Sequence, residues 1–486
     1  MIITPEQAAL KAQQQFDTLR AFVLRAAAEG QRIDTVEREV FRQLLGLGHT
    51  LLSAFVAGQG DGDLGPEAET VNGRSARRLP ERHDRRYVSI FGELTITRAV
   101  YGTREGQKIE RVPLDERLGL PEGEFSYVLE DWGQRLCLKD SFAEAGQSLE
   151  MLLGLRVGTR ALEGMDRVVA GYAPAFQASL EVPPPAEEGP LLVVTADGKG
   201  VPMRRPPQGG PNPHHRRTKG EKANKKQMAC VGAVYSIEPF VRKAEDIIDE
   251  VLRGRKAQQR PVPQYKHVWA EMTREIGGIE VPAKEGLFCH LYAEATARNL
   301  GYDRPVICLL DGERALWDAR AVYFPEATGI LDLFHVLERL WAVAHCFHKE
   351  GSDGARQFVE ERLRDLLQGR VSYVIAGLRR RLARGKLNGP KRAVVRSAVE
   401  YLANNRGHMR YDEYLAAGYP IGSGVAEGAC RHLVKDRLEQ TGMRWTVEGA
   451  QAMLHVRALY LNDQWGEFLE FRVEQEQARL YNRDAA

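Results

Sequence analysis

The chain has 486 residues, 43% hydrophobic and 28% charged, a balance that excludes a largely disordered chain and leaves apolar surface for several cores. Its 68 basic and 66 acidic residues give a net charge of +2, so the overall charge neither points to nucleic acid nor excludes it. No apolar run approaches the roughly 20 residues that span a bilayer, and Met1 to Leu10 lacks a cationic segment followed by an apolar one, which sets the expectation of a cytoplasmic protein with no membrane partner.

In chain order, residues 5 to about 57 carry apolar positions at helical spacing (Phe16, Leu19, Phe22, Val23, then Val36, Val40, Leu44, Leu47) and predict two helices ended by the Gly-rich stretch Gly58 to Gly65. Arg74 to Arg86 is rich in arginine. Tyr87 to Tyr101 alternates around a glycine and predicts a small β-hairpin. Ser141-x-x-Glu144 is a capping box that opens a helix to about Leu153. Gly154-Leu-Arg156 breaks it, and Thr159 is placed to cap a second helix bearing Arg160 and Arg167. That is the shape of a helix-turn-helix, although many helical hairpins bind no DNA. Val182 to Pro185 reads as a linker.

Beyond the linker, strands alternate with helices. Leu191 to Ala196 and Met228 to Tyr235 predict buried strands, with a third expected near Phe240. Helices follow at Ala244 to Leu252 and Leu287 to Leu300, then a strand at Pro305 to Leu310, and helix throughout from Thr328 to about Ala416. Two basic clusters stand out. Arg204 to Gln227 holds eight Lys or Arg against Glu221 alone, including Arg204, Arg205, Arg216 and Arg217. Gly377 to Val399 holds eight and no acid, including Arg379, Arg380 and Arg381. Such clusters neutralise backbone phosphates, or else form a solvated helix face or charged loop. The six cysteines are scattered, with no Cys-x-x-Cys pair, so buried reduced thiols are expected rather than zinc.

The chemistry centres on three acids. Asp197 and Asp311 each follow a predicted buried strand and precede a glycine, where a carboxylate points into the cleft beyond the strand ends. An Asp-Gly turn or an N-cap accounts easily for one such residue, less easily for two on neighbouring strands. Glu427 lies in the first turn of a helix that starts after Gly422-Ser-Gly424, where the helix dipole favours a carboxylate. Pairing with Arg431 one turn on is the plainer reading of Glu427. Gly428 weakens that helix by about 1 kcal/mol relative to alanine, a cost that close approach of a substrate or another backbone would explain. Magnesium is hard and octahedral and binds through a few carboxylates plus substrate phosphate, so such a trio suits two-ion phosphoryl transfer.

The order strand-Asp, strand-Asp, helix-Glu resembles the RNase H-like core of DDE transposases. The motifs Thr195-Ala-Asp-Gly-Lys-Gly-Val-Pro202, Leu310-Asp-Gly-Glu-Arg314, Ile330-Leu-Asp-Leu-Phe-His-Val336, Tyr419-Pro-Ile-Gly-Ser-Gly424 and Gly442-Met-Arg-Trp445 resemble insertion-sequence transposases of the ISKra type. The resemblance implies an α/β RNase H-like core, a mixed sheet flanked by helices, with an all-helical insertion domain and a mainly helical N-terminal DNA-binding region. The regions would be 1–65 (helical), 66–124 (hairpin, arginine-rich), 125–181 (helix-turn-helix), 186–326 (core, first part), 327–416 (helical insertion) and 417–486 (core, C-terminal helices).

It further implies a catalytic and metal-binding triad of Asp197, Asp311 and Glu427 holding two Mg2+, with Mn2+ able to substitute. Asp332 and His335 match an Asp-x-x-His element of related transposases, and a histidine packed at the core edge is the alternative for His335. Arg444 and Trp445 are candidate DNA contacts, Trp445 equally a core residue. The implied partners are double-stranded DNA, both element ends and target, and at least a second copy of the chain. The implied location is prokaryotic and nucleoid-associated. The expected activity is binding of terminal inverted repeats, strand cleavage and strand transfer; a catalytically silent DNA-binding regulator of the same descent is the alternative. Many similar proteins carry a Cys-x-x-Cys zinc element after the hairpin, where this chain has Tyr101-Gly-Thr-Arg-Glu-Gly106.

Overall fold

In the computed structural model, the structure describes residues 5–70, 73–102, 109–204, 226–255, 260–301, 303–384, 387–440 and 442–481. The basic-cluster residues Arg205, Arg216 and Arg217 lie outside them, and Arg204 is the last described residue before that stretch. The chain divides into two units, Met1–Tyr172 with Trp465–Ala486, and Ala173–Gln464.

The first unit opens with helices Pro5–Ala28 and Ile33–Gly58, which pack together through Ala8, Ala12, Leu19 and Ala26 of the first. The second is long and apolar enough to cross a membrane by length and composition, contrary to the expectation of no such run, yet its 26 residues include His49, Thr50 and Ser53 and it rests on its neighbour. The expected hairpin is present as His83–Ser89 and Gly92–Arg98, starting earlier than the alternation suggested because the arginine-rich segment joins the strand.

Helices Tyr127–Cys137, Phe142–Leu153 and Thr159–Ala170 pack on one another in this unit. Ser141 caps the middle helix through the expected box with Glu144, and Gly154 ends it at φ 69, a left-handed turn that glycine adopts without steric cost. Thr159 is not the cap of the third helix: Gly158 takes that place with no side-chain bond. The last helix, Trp465–Tyr481, belongs to this unit and not with the preceding core helices. Arg472, 1% exposed, explains the attachment, because it pairs with Glu130 at 2.7 Å and Glu476 at 3.2 Å. A buried charge costs several kcal/mol unless partnered, so these residues hold that helix in place.

The second unit is built on a five-stranded sheet: β1 (Leu191–Pro202), β2 (Lys226–Ile237), β3 (Gln264–Met272), β4 (Val306–Leu310) and β5 (Thr328–Leu331), in the order β5-β4-β1-β2-β3. β4 runs parallel to both β1 and β5, while β1, β2 and β3 pair antiparallel. The third strand therefore lies at Gln264–Met272 and not near Phe240, whose segment instead bonds through its backbone to Gly418. The fifth strand, Thr328–Leu331, falls where continuous helix was expected; its four residues, Thr-Gly-Ile-Leu, are too few for periodicity to separate the two states.

Helices cover the sheet: α1 (Ala244–Arg253), α2 (Ala283–Ala297), α3 (Arg314–Tyr323), then α4 (Leu333–Phe347), α5 (Asp353–Leu367), α6 (Val371–Arg384) and α7 (Gly389–Asn404), followed by α8 (Gly424–Ala429) and α9 (Val447–Leu461). Because strand side chains alternate between faces, the apolar run of β1 is shared by two cores. Leu191 and Val193 join Ile307, Leu309 and Ile330 under α4 and the following helices, whereas Leu192, Val194 and Ala196 join Cys308, Leu310, Leu287 and Phe288 under α2. Each such side chain is worth roughly 1.5–3 kcal/mol when fully buried, so neither face can be turned to water.

Candidate active site

Register brings the two aspartates together. Thr195 pairs with Leu309 and Ala196 with Leu310 across the parallel β1–β4 ladder, so one further step sets Asp197 beside Asp311, on the sheet face of Val193 and Ile307. Asp197 lies inside β1, paired with Val231, so it is neither a turn residue nor an N-cap. Asp311 follows directly on β4. In both, the amide of the next glycine donates to the aspartate's own Oδ1, at 2.6 Å for Gly198 and 2.5 Å for Gly312. These bonds use one oxygen of each carboxylate and leave acceptor capacity facing the cleft.

His335, in the first turn of α4, is the third member: one ligand atom from each of Asp197, Asp311 and His335 lie within 4.8 Å of one another. The His335 ring is fixed by Asp332, whose Oδ2 lies 2.9 Å from its Nδ1, while Asp311 Oδ1 stands 3.9 Å from the same nitrogen. The bond to Asp332, with the further attraction of Asp311, Asp332 and Asp197, outweighs burial and pushes the imidazole pKa up to about 9, so it is a cation at neutral pH.

Asp332 is the hub. It is fully buried, caps α4 through the Phe334 amide at 2.9 Å, accepts from the Ser423 amide at 3.3 Å and from the Ser423 hydroxyl, and its own amide donates to Leu310 at 2.9 Å. This one residue thereby ties the strand end before Asp311 through its amide, and His335 and the turn that launches α8 through its carboxylate.

Glu427 rides on α8, whose sixth residue passes into a π-helical segment, Cys430–Lys435. Such wide turns cluster at functional sites because they re-aim side chains; here the Cys430 thiol lands 3.4 Å from Asp197 Oδ2. Burial, then the adjacent Asp197 charge, pushes that thiol up, so it remains a neutral donor. Glu427 stays outside the 4.8 Å group. Its carboxyl nevertheless feels the cluster: partial burial, then Asp332, Asp197 and Glu338 raise it above the ordinary carboxylate range, against the opposing charge of His335. The pairing with Arg431 is not made; Arg431 turns to Asp436 at 3.7 Å. A Cβ on Gly428 would meet nothing within 4 Å, so no close approach among the described residues calls for that glycine.

The other candidates separate clearly. Trp445 is 7% exposed, donates from Nε1 to Leu438 at 3.1 Å and lies under Arg437, whose guanidinium carbon is 5.0 Å from the ring centroid. It is therefore a core residue and not a platform for a base, while Arg444 beside it is exposed. Arg204 is exposed, its amide bonded to the Trp445 carbonyl at 2.7 Å. Arg379 and Arg380 are exposed on α6, and Arg381 stacks 5.5 Å from the Phe347 and 5.1 Å from the Phe358 ring centroids. Arg380 and Arg381 border a cleft of about 510 Å³ lined also by Arg362, Tyr373 and Arg384, with Glu361 and Asp365. Arg160 and Arg167, seven residues apart, are both exposed on helix Thr159–Ala170 of the first unit.

Sequence reasoning missed Tyr401, whose hydroxyl donates to Asp311 Oδ1 at 3.1 Å, and Cys430. Neither carries a local signal: one is a helix tyrosine 90 residues from its partner, the other a lone thiol. Two carboxylates and an imidazole, partly open to solvent and within 4.8 Å of one another, form a group that could hold a metal ion. No protein family and no curated protein sequence matches the chain.

Proposed function

We propose that the chain is a DDE-type DNA transposase with an RNase H-like core, in which Asp197, Asp311 and Glu427 hold two magnesium ions, replaceable by manganese. The observation that carries this reading is the meeting of Asp197 and Asp311, with His335, within 4.8 Å from positions 114 residues apart, while Glu427, outside that group, still feels the charges of Asp332 and Asp197. When bound, a pair of ions supplies activation of the attacking oxygen and stabilisation of the leaving one. The chain's own residues do the rest. Asp332 orients His335 and the Ser423 turn, so that the helix bearing Glu427 starts against the Asp311 strand end. His335 offers a positive charge to the neighbouring acids.

Duplex DNA is the partner the surface suits. Arg160 and Arg167 share an exposed helix in a three-helix arrangement, the geometry that reads a major groove, and Arg379, Arg380 and Arg384 present charge without a carboxylate partner among the described residues. Joining two element ends requires a second copy of the chain. The test is incubation with the native element ends and Mg2+, products mapped to the nucleotide. Breaks at the element boundary that leave 3′-hydroxyls, followed by joints to target DNA, are expected; specific binding of the ends without cleavage in Mg2+ or Mn2+ would leave a DNA-binding regulator instead.

A further inference from the structure

We infer that Tyr401, supplied by the helical segment inserted between Asp311 and Glu427, is a positioning residue for the Asp311 carboxylate. The inference rests on the metal-dependent reading of the site. Tyr401 sits near the end of α7, on the flank of the buried stripe Val395, Ala398, Val399 and Leu402 that docks this helix into the core. Its ring is held from one side by Arg339, whose guanidinium carbon is 5.1 Å from the ring centroid. From there the hydroxyl reaches Asp311 Oδ1 at 3.1 Å. A phenol keeps its proton at neutral pH, so Tyr401 donates and the carboxylate accepts.

Three observations distinguish this contact from incidental packing. Oδ1 already takes the Gly312 amide at 2.5 Å, so Tyr401 adds a second donor to the same oxygen, while Oδ2 takes none among the described residues. Two donors on one oxygen fix the carboxylate's rotation and leave the other oxygen for a cation. Next, the approach depends on glycine: a Cβ at position 312 would lie 2.2 Å from Cε2 of the Tyr401 ring, 2.6 Å from Cζ and 2.7 Å from the hydroxyl oxygen. Finally, the Asp311 backbone is held from its own side, since Trp317 Nε1 donates to the Asp311 carbonyl at 2.8 Å and Trp317 stacks on His408 with centroids 3.8 Å apart. Main chain and side chain of this one aspartate are thus both secured, the latter by the insertion. Among the described residues Asp197 has no such clamp; its second oxygen meets the Cys430 thiol alone.

Groups that hold a metal ligand from behind typically account for 10–100-fold in metal affinity. The full chain carrying Tyr401→Phe, which keeps the ring and its packing, should bind Mn2+ about 10-fold more weakly by calorimetry without DNA. Gly312→Ala, which forces the ring aside, should weaken it at least as much. Wild-type Mn2+ affinity in Tyr401→Phe overturns the proposal. A crystal structure of metal-free Tyr401→Phe reads the same role independently of any ion: an Asp311 carboxylate rotated from its native orientation supports positioning, and one left in place overturns it. Asp311→Asn separates the two claims. If it binds Mn2+ as well as wild type does, the metal reading fails, while the rotation of Asp311 in the metal-free crystal still decides what Tyr401 does.

Discussion

The second unit contains two clusters of carboxylate and histidine, and they are finished differently. Glu271, on β3, is 1% exposed, pairs with Arg274 and has His290 at 3.3 Å and His455 at 3.2 Å, so its carboxylate is enclosed by protein groups. Asp197 and Asp311 are half-buried, the first bonded to the Gly198 amide and the Cys430 thiol, the second to the Gly312 amide and the Tyr401 hydroxyl, with His335 as the imidazole of the group. Similar residue types therefore make a structural joint where the carboxylate is paired and sealed from solvent, and a candidate ligand site where lone pairs are left over and solvent has access. Saturation, more than composition, tells the two apart.

The comparison breaks first on the open site. Asp197→Asn and Asp311→Asn keep size and remove charge, so cleavage of element ends in Mg2+ should fall by about three orders of magnitude or more. The melting temperature should hold or rise, because one of several crowded acids has been neutralised. Full Mg2+-dependent cleavage by either variant would remove the site from the chemistry.

The sealed joint should answer in the opposite way. Glu271→Ala strands Arg274, so the unit should lose about 3–5 kcal/mol in denaturant unfolding with Mn2+ affinity unchanged in the folded protein. It should also carry a pH signature. Burial, then the charges of Arg274 and His290, depress the His455 pKa to about 3, against roughly 6.5 when unfolded. The unfolded chain therefore binds a proton that the folded one refuses between those values, and stability falls as pH drops from about 6.5 toward 3, by at most about 1.4 kcal/mol per pH unit. His455→Gln should flatten that acid limb; an unchanged limb would show that this histidine is not what resists protonation.

The smallest effect is expected on α6. Neutralising Arg379, Arg380 and Arg384 should weaken binding to all duplexes alike and reduce the slope of log affinity against log salt by up to about 0.9 per lost phosphate contact. An unchanged slope would make these arginines ordinary solvated surface.

Local chemistry made much of this legible before any coordinates. The Ser141–Glu144 box, the helices Pro5–Ala28 and Ile33–Gly58, the hairpin, the buried strands leading into Asp197 and Asp311 and the helix start at Glu427 all rest on patterns within a dozen or so residues, where backbone propensity and side-chain period act directly. Tertiary structure decided the remainder. The strands Gln264–Met272 and Thr328–Leu331 take their state from the ladders they join. Trp445 is core because Arg437 and Leu438 close over it. Which acids are saturated and which stay open, and that Tyr401 reaches Asp311 across 90 residues, follow from register and helix docking. Contacts of that kind are set by how separate elements pack, and no stretch of sequence short enough to carry a local signal contains both partners.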